Sequence, residues 1–178
     1  MTHFTSWLNN MKWIVVPIVL AFGLASLPLS DDLNSDPALG SWRLNQAKCQ
    51  FSNTVPPVSV MRSFQAGDRG LTRISETRLI PDGEEIVVEY VVSYDGKEYP
   101  MFVTHADVSA PTKLDDTVSL RRIGRRVVGG VFHNHGKETA EFTREISNDG
   151  QSLYVRIVGT DSTGGKTVTL LVYDRLIT

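Results

Sequence analysis

Residues 85–94 read Glu-Ile-Val-Val-Glu-Tyr-Val-Val-Ser-Tyr, and Asp95-Gly96 follows at once. In an extended chain Ile86, Val88, Tyr90, Val92 and Tyr94 share one face, and Glu85, Val87, Glu89, Val91 and Ser93 share the other. Asp-Gly after such a run signals a two-residue hairpin, because that turn needs positive φ at its central positions. A strand that turns straight back must pair with the strand that follows. The same pattern recurs at 41–51, 58–65, 71–80, 97–103, 117–123, 126–132, 139–146, 152–158 and 167–175. Pro56-Pro57, Pro81-Asp82-Gly83, Asn148-Asp149-Gly150 and Ser162-Thr163-Gly164-Gly165 mark turns between them. The longest unpatterned loop is 104–116, and no helical period intervenes.

Hairpin-linked strands mostly pair with their sequence neighbours. A meander of this length must dispose of its edges, and closure into a barrel does so. The expected fold is all-β: an antiparallel up-and-down barrel of about eight to ten strands, with room for side chains or one small ligand. A two-sheet sandwich is the rival, and the short connections favour the barrel. Gly129-Gly130 falls inside a strand and reads as a bulge or a bend.

The first residues follow other rules. Lys12 precedes an uncharged stretch, 13–24, and Gly23-Leu24-Ala25 supplies small residues at a cleavage site. A basic start, an apolar middle and a small-residue end describe a secretory signal helix, residues 1–25. The rival is an uncleaved anchor in the inner membrane, but the run is short for a span and Pro17 interrupts it. Residues 26–39 carry Pro28, Asp31, Asp32, Asn34, Asp36 and Pro37 without a period and read as a solvated linker. The barrel domain is then 40–178, and the protein is expected in the periplasm or secreted.

Only one of the 178 residues is a cysteine, Cys49, so no internal disulfide can staple the fold. A formal net charge of -2 gives no basic field for nucleic acid.

Gly40-Ser41-Trp42, on the first strand, resembles the Gly-x-Trp motif of lipocalins and the wider calycin barrels. Val172-Tyr173-Asp174-Arg175 is similar to the closing strand of their fatty-acid-binding relatives. The resemblance implies that Trp42 and Arg175 form the pair that seals one end, with the guanidinium over the indole. Residues 40–176 also resemble a group of small exported bacterial lipocalin-like proteins, through Gly40-x-Trp-x-Leu-Asn45, Tyr94-Asp-Gly-Lys-x-Tyr-Pro100 and Asp149-Gly-x-x-Leu153. The chain departs from the relatives in three ways. It lacks a mid-barrel Thr-Asp-Tyr, its 51–58 gap is too short for two helices, and Leu171 stands where the fatty-acid-binding proteins place a carboxylate-clamping arginine.

The expected function is binding of a small, largely apolar ligand inside the barrel. Tyr90, Arg122, Phe142, Arg144 and Tyr173 are the candidate ligand-binding residues, since alternation turns them inward. An inward arginine needs an anion, a rim position or a buried carboxylate. Arg122 and Arg144 should therefore meet either an anionic ligand group or a structural partner. The alternative is a non-catalytic structural or interaction module of the cell envelope, with the barrel filled by Phe64, Tyr90, Phe132 and Phe142.

No nucleophile or acid–base constellation argues for an enzyme. His133 and His135 could share a strand face, but further ligands are not apparent, so neither metal nor cofactor is expected. The reading is of a monomer that meets a membrane only through an uncleaved N-terminal segment.

Overall fold

The computed structural model describes residues 36–52, 55–105, 110–161 and 163–177. The chain divides into two units, 1–30 and 31–178, and every described residue belongs to the second. The expected signal helix, and the linker up to residue 35, lie outside the described residues.

Ten antiparallel strands close into one barrel. They are β1 (Gly40–Leu44), β2 (Ser59–Ala66), β3 (Thr72–Leu79), β4 (Glu85–Val92), β5 (Asp95–His105), β6 (Thr112–Gly124), β7 (Val127–Asn134), β8 (Lys137–Ile146), β9 (Ser152–Thr160) and β10 (Lys166–Leu176). Each pairs with its sequence neighbours, and β1 pairs with β10 to complete the ring. Helix among the described residues is limited to two single 3-10 turns, Gln46–Lys48 and Asp68–Gly70. The period-two pattern is the cause. Trp42 and Leu44, Val60 and Phe64, Ile74, Tyr90 and Val92, Val118 and Leu120, Phe142 and Ile146, and Leu153 and Val155 are buried along alternating positions.

Several local expectations need correction. The first strand is shorter than 41–51: it ends at Leu44, the chain makes a 3-10 turn, and Gln50 rejoins β10 through a bridge to Leu170. The 104–116 loop is mostly strand, since β5 runs to His105 and β6 starts at Thr112. A register shift between Pro100 and Phe102 breaks the alternation there and hides the pairing from the sequence. Asp95-Gly96 does not make the tight hairpin. β4 and β5 pair only over Ile86–Glu89 with Phe102–His105, and Asp95 pairs with Arg121 on β6 instead. The chain between β4 and β5 turns at Ser93-Tyr94, which delivers Tyr94 to the barrel floor, where it is buried.

Gly129-Gly130 is neither bulge nor bend. Both residues pair in register with β6 and β8, and the shifts fall at Arg122/Gly124 and Phe132/His133. The reason for glycine is space: a Cβ on Gly130 would collide with the Phe142 ring and stand 2.7 Å from Leu120 Cδ2. Phe142 crosses the void that Gly130 leaves and stacks on Phe132, centroids 4.7 Å apart.

The two ends of the barrel differ. At one end β1 begins, β10 finishes and residues 36–39 fold across the opening, with Asp36 and Ala38 buried. The expected solvated linker therefore ends before Asp36. Nearer the other end the inward residues Ile86, Val88, Leu114, Phe132, Ala140, Ile157 and Leu171 are only half-buried.

Candidate functional site

At the closed end Trp42 is fully buried, and its Nε1 donates to Ala38 O at 2.8 Å. The Arg175 guanidinium lies over the indole, Cζ 4.1 Å from the ring centroid. It donates to Gly150 O at 2.6 Å, to Leu39 O at 2.8 Å and to Pro37 O. Burial pushes the Arg175 pKa down from its ordinary value. Gly40 makes the passage possible. Its φ of +115° suits glycine, and a Cβ there would sit 3.1 Å from the guanidinium.

Directly inside this lid lies a buried ionic cluster. Asp36 Oδ2 accepts from the Tyr94 hydroxyl at 2.8 Å and from Arg122 at 3.1 Å, with Arg144 at 3.7 Å. Arg144 donates to the Tyr94 oxygen at 3.0 Å, and Asp36 Oδ1 accepts from Ala38 N at 2.9 Å. Aromatic faces complete the shell. Arg122 stands over the Tyr94 ring at 4.4 Å, and Arg144 over Phe64 at 4.7 Å. Burial alone would raise the Asp36 pKa. The Arg144 charge, the Ala38 amide, the Tyr94 hydroxyl and the Arg122 charge outweigh it and hold the carboxyl below its ordinary value.

Arg122 and Arg144, expected to meet either an anionic ligand group or a structural partner, both meet a protein carboxylate, Asp36. A buried guanidinium must find a counter-charge, and here the protein supplies one from the stretch that read as linker. Tyr90 and Phe142 are buried mid-barrel, and Tyr173 is fully buried on β10 opposite Leu44 and Leu153.

A second interior cluster was not anticipated. Alternation on β2 turns Arg62 inward between Val60 and Phe64, and alternation on β3 turns Glu76 and Arg78 inward after Thr72 and Ile74. The β2–β3 register sets Arg62 opposite Glu76. Arg62 donates to one Glu76 carboxylate oxygen and Arg78 to the other. Glu76 is buried, whereas the Arg78 side chain is 49% exposed. The Arg62 guanidinium also stands over the Tyr173 ring, Cζ 5.0 Å from the centroid. The Tyr173 hydroxyl is buried and has no hydrogen-bond partner among the described residues. Burial pushes its pKa up, with the Arg62 and Arg78 charges pulling the other way. The signal was present in the sequence as charged residues on the inward face of two strands. Reading it needed the register that puts opposite charges side by side.

Among the described residues each histidine has its own acidic neighbour. His133 stands 4.0 Å from Glu98, His135 stands 3.6 Å from Asp115 beyond the end of β7, and His105 lies 2.6 Å from Glu84. Among the described residues no cluster of three metal-ligating side chains occurs. The Cys49 thiol donates to Asn45 O at 3.2 Å and accepts from Val172 N at 3.3 Å. Burial pushes its pKa up, which keeps it a thiol.

No family model and no curated protein matches the chain. Solved structures do. A variant of the fluorescent protein UnaG aligns with a TM-score of 0.51 and 15% identity, over 80% of this chain and 98% of that one. Zebrafish ileal bile acid-binding protein, in complex with cholic acid, gives 0.49 and 15% over 79% of this chain and 99% of its own. Rv2717c from M. tuberculosis gives 0.46 and 15% over 82% and 96%. At this identity the UnaG likeness establishes fold. The chain is an all-β, ten-stranded antiparallel barrel of the lipocalin and fatty-acid-binding type.

Proposed function

We propose that this barrel is a non-catalytic carrier that takes a small, largely apolar molecule through its open end. One observation carries the reading. Inward apolar side chains are sealed at the lidded end, yet water reaches Ile86, Val88, Leu114, Phe132, Ala140, Ile157 and Leu171 at the other. Such a lining favours apolar surface by about 25 cal/mol per Å² removed from water. A core built only for stability would close over these residues instead. The stretch 12–25 adds that the carrier works outside the cytoplasm, after its signal helix is removed.

The test is titration with N-phenyl-1-naphthylamine, whose fluorescence rises in apolar surroundings, with native mass spectrometry of protein purified from its own host. The expected result is saturable one-to-one binding of the probe and a co-purifying small molecule. Absence of both would favour the second reading, an interaction module whose barrel is filled. One feature speaks for that reading: an outward groove of about 420 Å³ where Ile123, Gly129, Val131 and Val158 meet on β6, β7 and β9.

A further inference from the structure

We propose that the closed end of the barrel docks on an anionic lipid surface through the tip of the β6–β7 hairpin. The tip reads Arg121-Arg122-Ile123-Gly124-Arg125-Arg126. Alternation on β6 turns Arg122 inward to Asp36, so Arg121 and Ile123 face out. Arg121, Arg125 and Arg126 are exposed, and none of the three forms a side-chain hydrogen bond or ion pair among the described residues. Two carboxylates, Glu145 and Asp149, line the cleft beside Arg125 and Arg126. Asp149 is engaged by the Ser147 hydroxyl and the Gln151 amide, and Glu145 stands opposite Val127 at the base of the tip. The guanidiniums outnumber the carboxylates beside them. In their midst Ile123 is 66% exposed. A dissolved anion would be held by the arginines and would leave Ile123 in water. A bilayer accepts both: headgroup phosphates take the guanidiniums and the interface takes the isoleucine.

Charge at the other end of the barrel sets the orientation. There the exposed Asp82, Glu84, Glu85, Asp115 and Glu138 outnumber the exposed Lys113, Lys137 and Lys166. An anionic surface attracts the lidded end and repels the open one, so the docked barrel holds its mouth toward water. The docking element is also held firm from beneath. Arg122, between the outward Arg121 and Ile123, donates to Asp36 at 3.1 Å and to Arg125 O at 3.4 Å. Little ordering is then needed on contact. The tip lies within the barrel itself. If residues 1–25 are removed, as the carrier reading has it, this contact with a bilayer is one that the remaining chain keeps.

Vesicle flotation of the protein purified from its own host tests the proposal. Vesicles of phosphatidylglycerol and phosphatidylcholine in equal parts are compared with vesicles of phosphatidylcholine alone, at low salt. The protein should partition to the anionic vesicles roughly tenfold more strongly, and added salt should release it. Arg125→Gln and Arg126→Gln should each weaken that partitioning about fivefold, the effect of one basic residue at a charged surface. Ile123→Ser should weaken it about threefold or more by withdrawing apolar surface from the interface. Lys137→Gln removes the same charge at the open end and should leave partitioning unchanged. All four side chains are exposed, so thermal unfolding of each variant should match the parent. Equal flotation with the two kinds of vesicle, or arginine variants that float like the parent, would overturn the proposal. So would a loss at Lys137→Gln as large as at the tip. Weakening by the arginine changes with none from Ile123→Ser would overturn the bilayer as partner in favour of a dissolved polyanion. The carrier reading is untouched by these outcomes, because the apolar probe tests it separately.

Discussion

The Tyr94 hydroxyl donates to Asp36 Oδ2 at 2.8 Å, joining the turn between β4 and β5 to the segment that precedes β1. That bond brings a carboxylate under the barrel, where Arg122 and Arg144 need one. The lid of the closed end is thus held by charge as well as by the Trp42 indole.

Asp36→Asn should destabilise the barrel by about 3 kcal/mol or more, because it removes the buried carboxylate that Arg122 and Arg144 share. Chemical denaturation with an unchanged m-value would report it. A loss below about 0.5 kcal/mol, the range of an ordinary surface substitution, would show that the cluster is not held by Asp36.

Stability should also fall in acid through the same residue. The Asp36 pKa is lower in the folded chain than its ordinary value of 3.8. Its contribution is therefore complete above that ordinary value and is lost as pH falls from there through the folded value. In Asp36→Asn the corresponding part of the acid limb should flatten. Denaturation midpoints of the two chains measured between about pH 5 and pH 2 should converge as pH falls. Parallel curves would remove Asp36 from the acid response.

Arg175→Lys keeps the charge but loses the planar face over Trp42 and the fork that reaches Gly150, Leu39 and Pro37. We expect a loss of about 1–3 kcal/mol in thermal or chemical unfolding. An unchanged midpoint would mean that charge alone closes this end.

Gly130→Ala should cost about 1–3 kcal/mol by driving a methyl group into Phe142 and Leu120. Phe142→Leu, in the same background, should recover part of that loss, so the double variant is more stable than the sum of the single changes. Gly129→Ala meets only the tip of Ile123 on the outer face and should be nearly neutral. Strict additivity between positions 130 and 142 would contradict the packing described.

What the sequence determined by itself was everything carried by spacing two residues apart. The inward face of β4, the ring of neighbouring strands and the barrel class were all readable, because side-chain alternation is local and turn residues punctuate it. Where a bulge interrupts alternation, as between Pro100 and Phe102, that reading stopped and a strand passed for a loop. Only the tertiary structure decided which charges meet. Asp36 is 86 residues from Arg122, and Arg62 finds Glu76 through the register of two strands rather than through any motif. The same holds for Gly130, whose missing Cβ has meaning only once Phe142 on β8 lies across it. Alternation says which side chains point inward. Closure and register say what each one finds there, and a buried charge or an unpartnered hydroxyl becomes chemistry only after that partner is known.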